Sequence, residues 1–154
     1  MRITDKVMVG AMALALPLIM LWEGYSATPY YDIAGVLTNC YGNTIQVENR
    51  TYSQSECKHL LETDVGKRMQ FIYNDVPDIP IHVLAAGTSL FYNAGMGAYR
   101  SSTFRKLAKQ GDRYGACHQI PRWVYVTKNG KREVSRGLVN RRKQELELCL
   151  QYRT

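Results

Sequence analysis

The 154-residue sequence has no internal repeat, no low-complexity tract and no long linker. It contains no CxxC pair, and its three histidines, His59, His82 and His118, are scattered. Structural zinc sites are built from closely spaced cysteine and histidine pairs, so we expect no bound metal and no other cofactor. No basic strand interleaved with aromatic residues and no zinc-finger spacing is present, which argues against nucleic acid as a partner.

Acidic residues are too few to balance the basic ones. The chain has 13 Asp and Glu residues and 20 Lys and Arg residues, which gives a formal net charge of +7. Such a charge attracts anionic polymers, and an anionic membrane and the bacterial cell wall are the candidates that remain. A solvated basic surface without a partner explains the charge about as well. A chain of this length forms one domain or two small lobes around one core, and we expect a monomer.

Cysteine is absent from residues 1–39, and the remaining chain has four: Cys40, Cys57, Cys117 and Cys149. An even number without metal-ligand spacing fits two disulfides formed in an oxidising compartment. Four buried thiols in a cytosolic protein are the alternative. Three pairings are possible. We expect Cys40–Cys57 and Cys117–Cys149, because each pair would then lie within one lobe.

The sequence also lacks an apolar run of full membrane-spanning length. The longest, Val7–Trp22, is uncharged but falls short of the roughly 20 residues that cross a bilayer, and Gly, Ala and Pro dilute it. It follows a cationic start with Arg2 and Lys6, as export signals do, but no clean cleavage site precedes Glu23. It can be an uncleaved weak anchor, a cleaved signal or a buried core helix. The first and last are compatible, because Gly and Ala bury little apolar surface and so lower the cost of leaving the bilayer.

The rest of the chain predicts a mainly helical α+β fold with one small N-terminal sheet. Residues 29–52 are rich in Tyr, Thr, Val and Gly, which favours a hairpin or a small three-stranded sheet. Ser53 and Glu56 form a capping box that begins a helix reaching about Tyr73. The apolar stripe of this helix comprises Leu60, Leu61, Val65 and Met69.

Further helices follow toward the C-terminus. One is expected over residues 81–93 and ended by Gly95 and Gly97, one after the Ser102-Thr103 cap, and one over about 112–120. The Asn129-Gly130 pair predicts a small hairpin. Ser135 opens the last helix, whose predicted inward residues are Leu138, Val139, Leu146, Cys149 and Leu150.

Three polar residues near the apolar run suggest glycoside hydrolysis. This chemistry needs a carboxylic acid to protonate the leaving oxygen and a second carboxylate that activates water or attacks the sugar. A general acid is favoured by an apolar setting, and Glu23 ends the most apolar segment. Asp32 lies in a Gly-flanked loop where a more solvated base could sit, and Thr38 follows where it could hold the attacking water. On spacing alone, a helix-terminal charge and a turn aspartate explain the pair equally well.

The wider pattern resembles the phage lysozymes, glycoside hydrolase family 24. The residues Glu23-Gly24, Asp32, Thr38, Gly42 and Thr44 match its E-G-x7-D-x5-T signature and the Gly and Thr beyond it. Segments similar to later motifs of the family follow in the same order and cover about residues 21–150. They are Tyr52-Ser53 with Glu56-Cys57, Phe91–Gly95, Ser102-Thr103, Arg122–Val124, and Gly137–Arg142 with Glu145.

The resemblance implies a lysozyme-like fold of two lobes with the active site in the cleft between them. It implies that Glu23 is the general acid, that Asp32 and Thr38 position the hydrolytic water, and that Arg141 pairs with Glu23. Cleft-lining roles follow for Asn93 and Gly95. The sequence departs from the family at Asn43, where a histidine is usual, and we expect a structural effect there rather than lost catalysis.

The N-terminal segment resembles that of signal-anchor-release endolysins, which phages use against Gram-negative hosts. The resemblance implies a segment, residues 1–22, that tethers the inactive protein to the host inner membrane, and a catalytic domain, residues 23–154, that becomes active in the periplasm after release. A holin or pinholin would be the functional partner that triggers release. Because residues 1–39 lack cysteine, control by a thiol of the anchor is excluded.

The sequence therefore predicts an endolysin, a muramidase that hydrolyses the β-1,4 bond between N-acetylmuramic acid and N-acetylglucosamine in peptidoglycan. The alternative is a membrane-anchored peptidoglycan-binding protein with the same fold but no catalysis. A cationic protein that lyses cells by disturbing membranes is the third hypothesis. Replacement of Glu23 separates the three, because only the first requires that carboxyl group.

Overall fold

The computed structural model describes residues 5–154. Residues 1–4, and with them the Arg2 of the cationic start, lie outside the described residues. The described chain is mainly helical with two small antiparallel sheets, which confirms the predicted α+β class. Its elements are α1 (Lys6–Glu23), β1 (Ser26–Tyr31), β2 (Leu37–Cys40), α2 (Gln54–Asp75), α3 (Ile81–Ala94), α4 (Met96–Ser101), α5 (Thr103–Lys109), α6 (Arg113–Cys117), β3 (Tyr125–Lys128), β4 (Lys131–Val134) and α7 (Arg136–Leu150), with 3-10 turns at Ile120–Arg122 and Gln151–Arg153.

Helix α1 is the apolar run folded onto the body of the protein. Asp5 caps its first turn, where its side chain accepts a hydrogen bond from the Val7 amide at 2.7 Å. The helix packs mainly against α3, the most deeply buried helix of the described chain. It is also long and apolar enough to cross a membrane, with a mean hydropathy of 1.6. Its buried face consists of Met8, Ala11, Met12, Ala15, Leu16 and Ile19.

Strands β1 and β2 form the predicted N-terminal hairpin, with Tyr30 opposite Thr38. An isolated bridge joins Asn39, within β2, to Asn43, three residues beyond the end of the strand. The Asn43 side-chain amide donates to the Asn39 side-chain oxygen at 2.8 Å, so the residue that replaces the usual histidine pairs locally. This contact agrees with the expected structural role of Asn43.

Helix α2 begins at the predicted capping box. The Ser53 hydroxyl accepts from the Glu56 amide, and the Glu56 carboxylate accepts from the Ser53 amide, both at 3.0 Å. Leu61, Val65 and Met69 are fully buried along one stripe, as expected from the helical period.

The end of α3 differs from the prediction. Gly95 does end the helix, with a positive φ of 96° that favours glycine. Gly97, however, does not act as a terminator, because it lies inside the short helix α4 that begins one residue after Gly95. The Ser102 side chain then caps α5 by accepting from the Arg105 amide at 3.0 Å.

Two disulfides link neighbouring elements, and they are the same two pairs that the sequence analysis expected. Cys40–Cys57 ties the end of β2 to the first turn of α2, and Cys117–Cys149 ties α6 to α7. Their partners are 17 and 32 residues apart in sequence. Loops of these lengths correspond to about 3–4 kcal/mol of stabilisation each in the chain-entropy description.

The C-terminal region contains the predicted Asn129-Gly130 hairpin, β3–β4, whose residues are all exposed. Helix α7 corrects the sequence analysis. Of its five predicted inward residues, only Cys149 is fully buried, and the four aliphatic ones are half-buried. The other fully buried positions of α7 carry charges, and they are Arg141, Arg142 and Glu145. The pattern of apolar residues did not reveal them, because they are buried as partners of one another.

Candidate active site

Glu23 is the last residue of α1, and the chain turns sharply after it. Gly24 follows with a φ of 72°, which ends the helix and leads into β1. The Glu23 side chain is 18% exposed, so it lies at the surface of the core rather than inside it. Its Oε1 accepts a hydrogen bond from Arg141 Nη1 at 2.8 Å. The helix that carries the apolar run thus ends in a carboxylate held by the last long helix of the chain.

Gly42 brings the β1–β2 hairpin next to Glu23. A Cβ atom placed on Gly42 would lie 3.8 Å from Glu23 Oε2, and the positive φ of 77° at Gly42 itself favours glycine. The second oxygen of Glu23 therefore faces the backbone that follows β2. The carboxyl group and the segment that follows the hairpin therefore lie next to each other.

Asp32 sits in the turn between the two strands. Its Oδ1 accepts from the amides of Ala34 at 2.9 Å and Val36 at 2.8 Å. Gly35, with a φ of 79°, closes the turn, and its amide donates to the Asp32 carbonyl at 2.9 Å. Backbone amides thus orient one carboxylate oxygen, and among residues 5–154 none donates a hydrogen bond to Oδ2. Asp32 is half-buried, so Oδ2 can accept a hydrogen bond from a water.

Thr38 is positioned by the same turn. Its hydroxyl donates to the Val36 carbonyl at 2.8 Å, while the Val36 amide donates to Asp32. Val36 therefore fixes both side chains relative to each other. Because the Thr38 hydroxyl uses its proton on Val36, its oxygen lone pairs are left to accept a hydrogen bond from a water. Thr38 is 4% exposed, so a water held there would be largely enclosed.

A buried cluster of charges on α7 holds the arginine that contacts Glu23. Arg141 donates from Nε to Glu145 at 3.2 Å and from Nη2 to the Ser89 carbonyl at 3.0 Å. The Ser89 hydroxyl donates to the same Glu145 oxygen at 2.6 Å. Glu145 is completely buried and Arg141 is 3% exposed. Arg141 is therefore held in place by α3 and α7 independently of Glu23.

Arg142 completes the charge balance of the cluster. It donates to the other Glu145 oxygen at 2.8 Å, to the Trp123 carbonyl at 2.7 Å and to the Asn93 side-chain oxygen. Burial lowers the pKa of the Arg142 guanidinium, and the charge of Glu145 opposes that shift. With Glu23 and Arg141 included, two carboxylates face two guanidinium groups. Such balance is what allows charges to be buried without a large net penalty.

Asn93, Tyr92 and Gly95 lie at and just beyond the end of α3. Arg142 orients Asn93, which lines a groove beside the β3–β4 hairpin. Tyr92 donates its hydroxyl to the Tyr41 carbonyl at 3.2 Å and so joins α3 to the segment that follows β2. Burial raises the pKa of the Tyr92 hydroxyl well above its usual range, so it remains a neutral donor. Gly95 forms the junction between α3 and α4.

The structure brings Glu23 together with Arg141, and Asp32 together with Thr38. Sequence reasoning missed Ser89 and the roles of Arg142 and Glu145. The available signal was the Arg141-Arg142-x-x-Glu145 spacing, which places opposite charges three and four residues apart on one helix face. Such pairs are common on helix surfaces, so the spacing alone does not indicate burial. Residues 5–154 contain no cluster of His, Cys, Asp and Glu that could hold a metal ion.

Comparison with known proteins places these residues in a family. A family model described as Phage lysozyme matches residues 20–145, a range that includes Glu23, Asp32, Thr38 and Arg141. The chain is 42% identical over 131 residues to the SAR-endolysin of Enterobacteria phage P21, an alignment that covers 83% of this chain and 77% of the relative.

Two solved structures show the same fold in two forms. The active form of the P1 phage endolysin Lyz aligns with a TM-score of 0.78 at 26% identity, covering 96% of this chain and 94% of that chain. The secreted inactive form of Lyz aligns with a TM-score of 0.56 at 21% identity, covering 99% and 98%. The lysozyme-like fold is thereby confirmed, and because the family model spans most of the sequence, this chain belongs to the phage lysozyme family.

Proposed function

We propose that this protein is a signal-anchor-release endolysin whose muramidase site uses Glu23 as the general acid and Asp32 with Thr38 to hold the hydrolytic water. The hydrolase class follows from membership of the phage lysozyme family, and the release mechanism is supported by similarity to a SAR-endolysin. The substrate is the β-1,4 bond between N-acetylmuramic acid and N-acetylglucosamine. The roles of individual residues rest on the geometry of the site.

The observation that carries the proposal is the contact of Glu23 Oε1 with Arg141 at 2.8 Å. Arg141 holds one carboxyl oxygen, while the other faces Gly42 and the hairpin. A general acid must present one oxygen in a fixed direction toward the leaving group, and the fixed carboxyl group of Glu23 supports this role. The proton is transferred from Glu23 to the glycosidic oxygen as the bond breaks.

Asp32 and Thr38 supply the other half of the reaction. Two backbone amides hold Asp32 Oδ1, so Oδ2 can accept the proton that the attacking water loses. Thr38 accepts a second hydrogen bond from that water and restricts its orientation. A water that attacks from the side opposite the leaving group inverts the configuration at the anomeric carbon. Neither step requires a cofactor.

Activity also depends on where α1 lies. While residues 7–22 span the bilayer, the face formed around Ile19 cannot pack against α3, and Glu23 is held at the membrane surface away from Arg141. Release lets the same residues complete both the core and the ion pair. The higher TM-score to the active form of Lyz than to its inactive form supports assigning the packed α1 to the released state. We assign the tethered, inactive protein to the host inner membrane and the released monomer to the periplasm, with a holin or pinholin as the trigger.

The test is release of reducing sugar ends from purified peptidoglycan by the folded protein and by Glu23→Gln. We expect the variant to lose at least about a thousandfold in rate, because the amide cannot donate the catalytic proton. Glu48→Gln is a matched control, since Glu48 is an exposed carboxylate whose ion-pair partner within residues 5–154 is Arg50 alone. Equal activity of E23Q and the parent would refute the acid role. Absence of reducing ends from the parent, with peptidoglycan still bound, would favour a binding protein.

A further inference from the structure

A cationic groove of about 500 Å³ lies beside the β3–β4 hairpin. It opens at the end of α3 and is bordered by the hairpin and the first turns of α7. None of the described residues that line it is acidic. Asn93 and Arg142 form its inner wall, so it borders the charge cluster that contacts Glu23. Its outer wall contains Arg122, Trp123, Tyr125 and Arg132.

Two of the three arginines in this groove are available to a ligand. Arg142 uses its guanidinium on Glu145, Asn93 and the Trp123 carbonyl. Arg122 and Arg132 are exposed, and the ion pairs among residues 5–154 are formed by other cations. The Arg132 guanidinium lies 3.8 Å from the centre of the Tyr125 ring. Stacking on the ring orients the guanidinium without neutralising its charge.

If the substrate is peptidoglycan, its chemistry limits which anionic groups the groove can bind. The N-acetylated sugars of the glycan strand carry no charge when the lactyl group is joined to a peptide. The carboxylates of peptidoglycan then lie on the stem peptides that branch from N-acetylmuramic acid. An arginine presents a planar pair of donors that matches a carboxylate.

We infer that this groove binds the stem peptide of the substrate, with Arg132 and Arg122 pairing with its carboxylates. The inference rests on the proposed muramidase function and adds a specificity site to it. Val126 and Leu138 provide an apolar surface beside the two cations, which suits the short aliphatic side chains of a stem peptide. Binding of the stem peptide in this groove would hold the N-acetylmuramic acid residue that carries it at the cleft.

The hairpin offers a matched control for this site. Arg132 pairs with Thr127 across the sheet, and Lys131 pairs with Lys128 at the next position. Arg132 is part of the groove lining, whereas Lys131 is not. Arg132→Gln and Lys131→Gln therefore remove the same charge from adjacent exposed positions, but only the first changes the groove.

The experiment compares the two variants on two forms of purified sacculi. One is native, and in the other the stem carboxylates are converted to carboxamides with carbodiimide and ammonia. On native sacculi we expect R132Q to raise the half-saturating substrate concentration about tenfold, as for one lost charge-assisted contact, with little change in the maximal rate. We expect K131Q to stay within about twofold of the parent. On amidated sacculi the parent and R132Q should become alike.

Two results would overturn the inference. The first is equal effects of R132Q and K131Q on native sacculi, which would indicate general attraction by the basic surface. The second is a deficit of R132Q that persists unchanged on amidated sacculi, which would indicate a structural role of the side chain. Arg122→Gln provides an independent second variant, expected to show the same dependence on carboxylates. Failure of the muramidase proposal is distinguishable, because the parent itself would then release no reducing ends.

Discussion

Helices α1 and α7 reach the same ion pair in opposite ways. Helix α1 buries only apolar side chains and carries its acidic partner, Glu23, at its very end. Helix α7 buries charged side chains along its length and presents Arg141 from within the cluster. One helix would be stable in a bilayer or in the protein core, whereas the other is stable only where its charges are matched.

The difference divides the candidate site into a fixed half, Arg141 with its charge cluster, and a movable half, Glu23 at the end of α1. Two contacts of Arg141, with Glu145 and with the Ser89 carbonyl, do not involve Glu23. These contacts would therefore keep Arg141 in position within the rest of the fold while α1 lies in the membrane. Glu23 has no other ion-pair partner among residues 5–154, so its position depends on the packing of α1. Under the proposed mechanism, release from the membrane would therefore move Glu23 and leave Arg141 in place.

The largest effect on stability is expected at the centre of the α7 cluster. Glu145→Gln leaves two buried arginines with one carboxylate fewer, and breaking a buried ion pair in this way costs about 3–5 kcal/mol. We expect the free energy of unfolding, measured in urea, to fall by that amount. Glu147→Gln on the exposed side of the same helix should change it by less than about 0.5 kcal/mol. Equal stability of the two variants would show that the buried charges do not hold α7 in place.

The two helices also differ in how far the sequence predicted them. The burial of α1 and the capping box at Ser53 were predictable, because hydrophobic runs and cap residues are local signals. The same holds for the Asn129-Gly130 hairpin. The cluster on α7 was not, because a buried charge depends on partners that folding brings from elsewhere. Ser89 is 56 residues from Glu145 and Glu23 is 118 residues from Arg141.

The candidate site likewise contains one part that local sequence predicts and one part that depends on distant residues. Asp32 and Thr38 are six residues apart, and a single turn centred on Val36 arranges them. The contact of Glu23 with Arg141 was anticipated only from the family resemblance, since no local pattern connects the ends of the chain. Helix α4 does not follow from the local sequence, because Gly97 predicts a helix end, whereas the segment is helical in the fold and buries Tyr99 completely.

An ion network around Asp75 is more exposed than the α7 cluster, so its contribution to stability can be compared with that of the buried charges. Asp75 at the end of α2 accepts from Arg105 at 2.7 and 2.9 Å, from Tyr99 at 2.7 Å and from Lys109 at 3.2 Å. The hydrogen bonds from Arg105 hold the pKa of the Asp75 carboxyl well below its usual range. Because the arginine is 34% exposed, we expect a smaller effect than at Glu145. Asp75→Asn should lower the free energy of unfolding by about 2 kcal/mol at pH 7.

The pH dependence of this difference follows from the direction of the shift. A carboxyl whose pKa is lower in the folded state stabilises the fold above its unfolded pKa of about 4, and this contribution is lost as the pH falls through the folded pKa. The difference in stability between the parent and D75N should therefore be constant from about pH 8 to pH 5 and shrink below about pH 4. Asp78→Asn, at an exposed position three residues away, serves as the control. A difference that stays the same down to pH 2 would contradict the ionic origin of the effect.

The smallest expected effect concerns the exposed face of α1. Val9, Ala13, Pro17 and Leu21 recur every four residues and face solvent in the folded protein. In the bilayer this face contacts lipid, so a larger side chain here favours the membrane without disturbing the packing against α3. Ala13→Leu should stabilise the inserted state by about 1 kcal/mol and lower the released fraction about fivefold. The released fraction is measured in expressing cells, by separating membranes from periplasm after a protonophore collapses the membrane potential.

Position 13 separates tethering from catalysis, because it lies on the exposed face of α1 and outside the candidate site. Purified A13L should retain the specific activity of the parent, since Ala13 is exposed and lines an open groove beside Met20 and Tyr41 that has room for a larger side chain. Ala15→Leu adds the same apolar surface in the bilayer, but it would also overpack the fully buried side of α1 and destabilise the released protein by about 1–3 kcal/mol. Release of A13L equal to that of the parent would mean that insertion is insensitive to this face. Slower release with unchanged activity would mean that the hydrophobicity of α1 controls when Glu23 leaves the membrane. The charges of α7 would then only hold Arg141 in the position where Glu23 meets it.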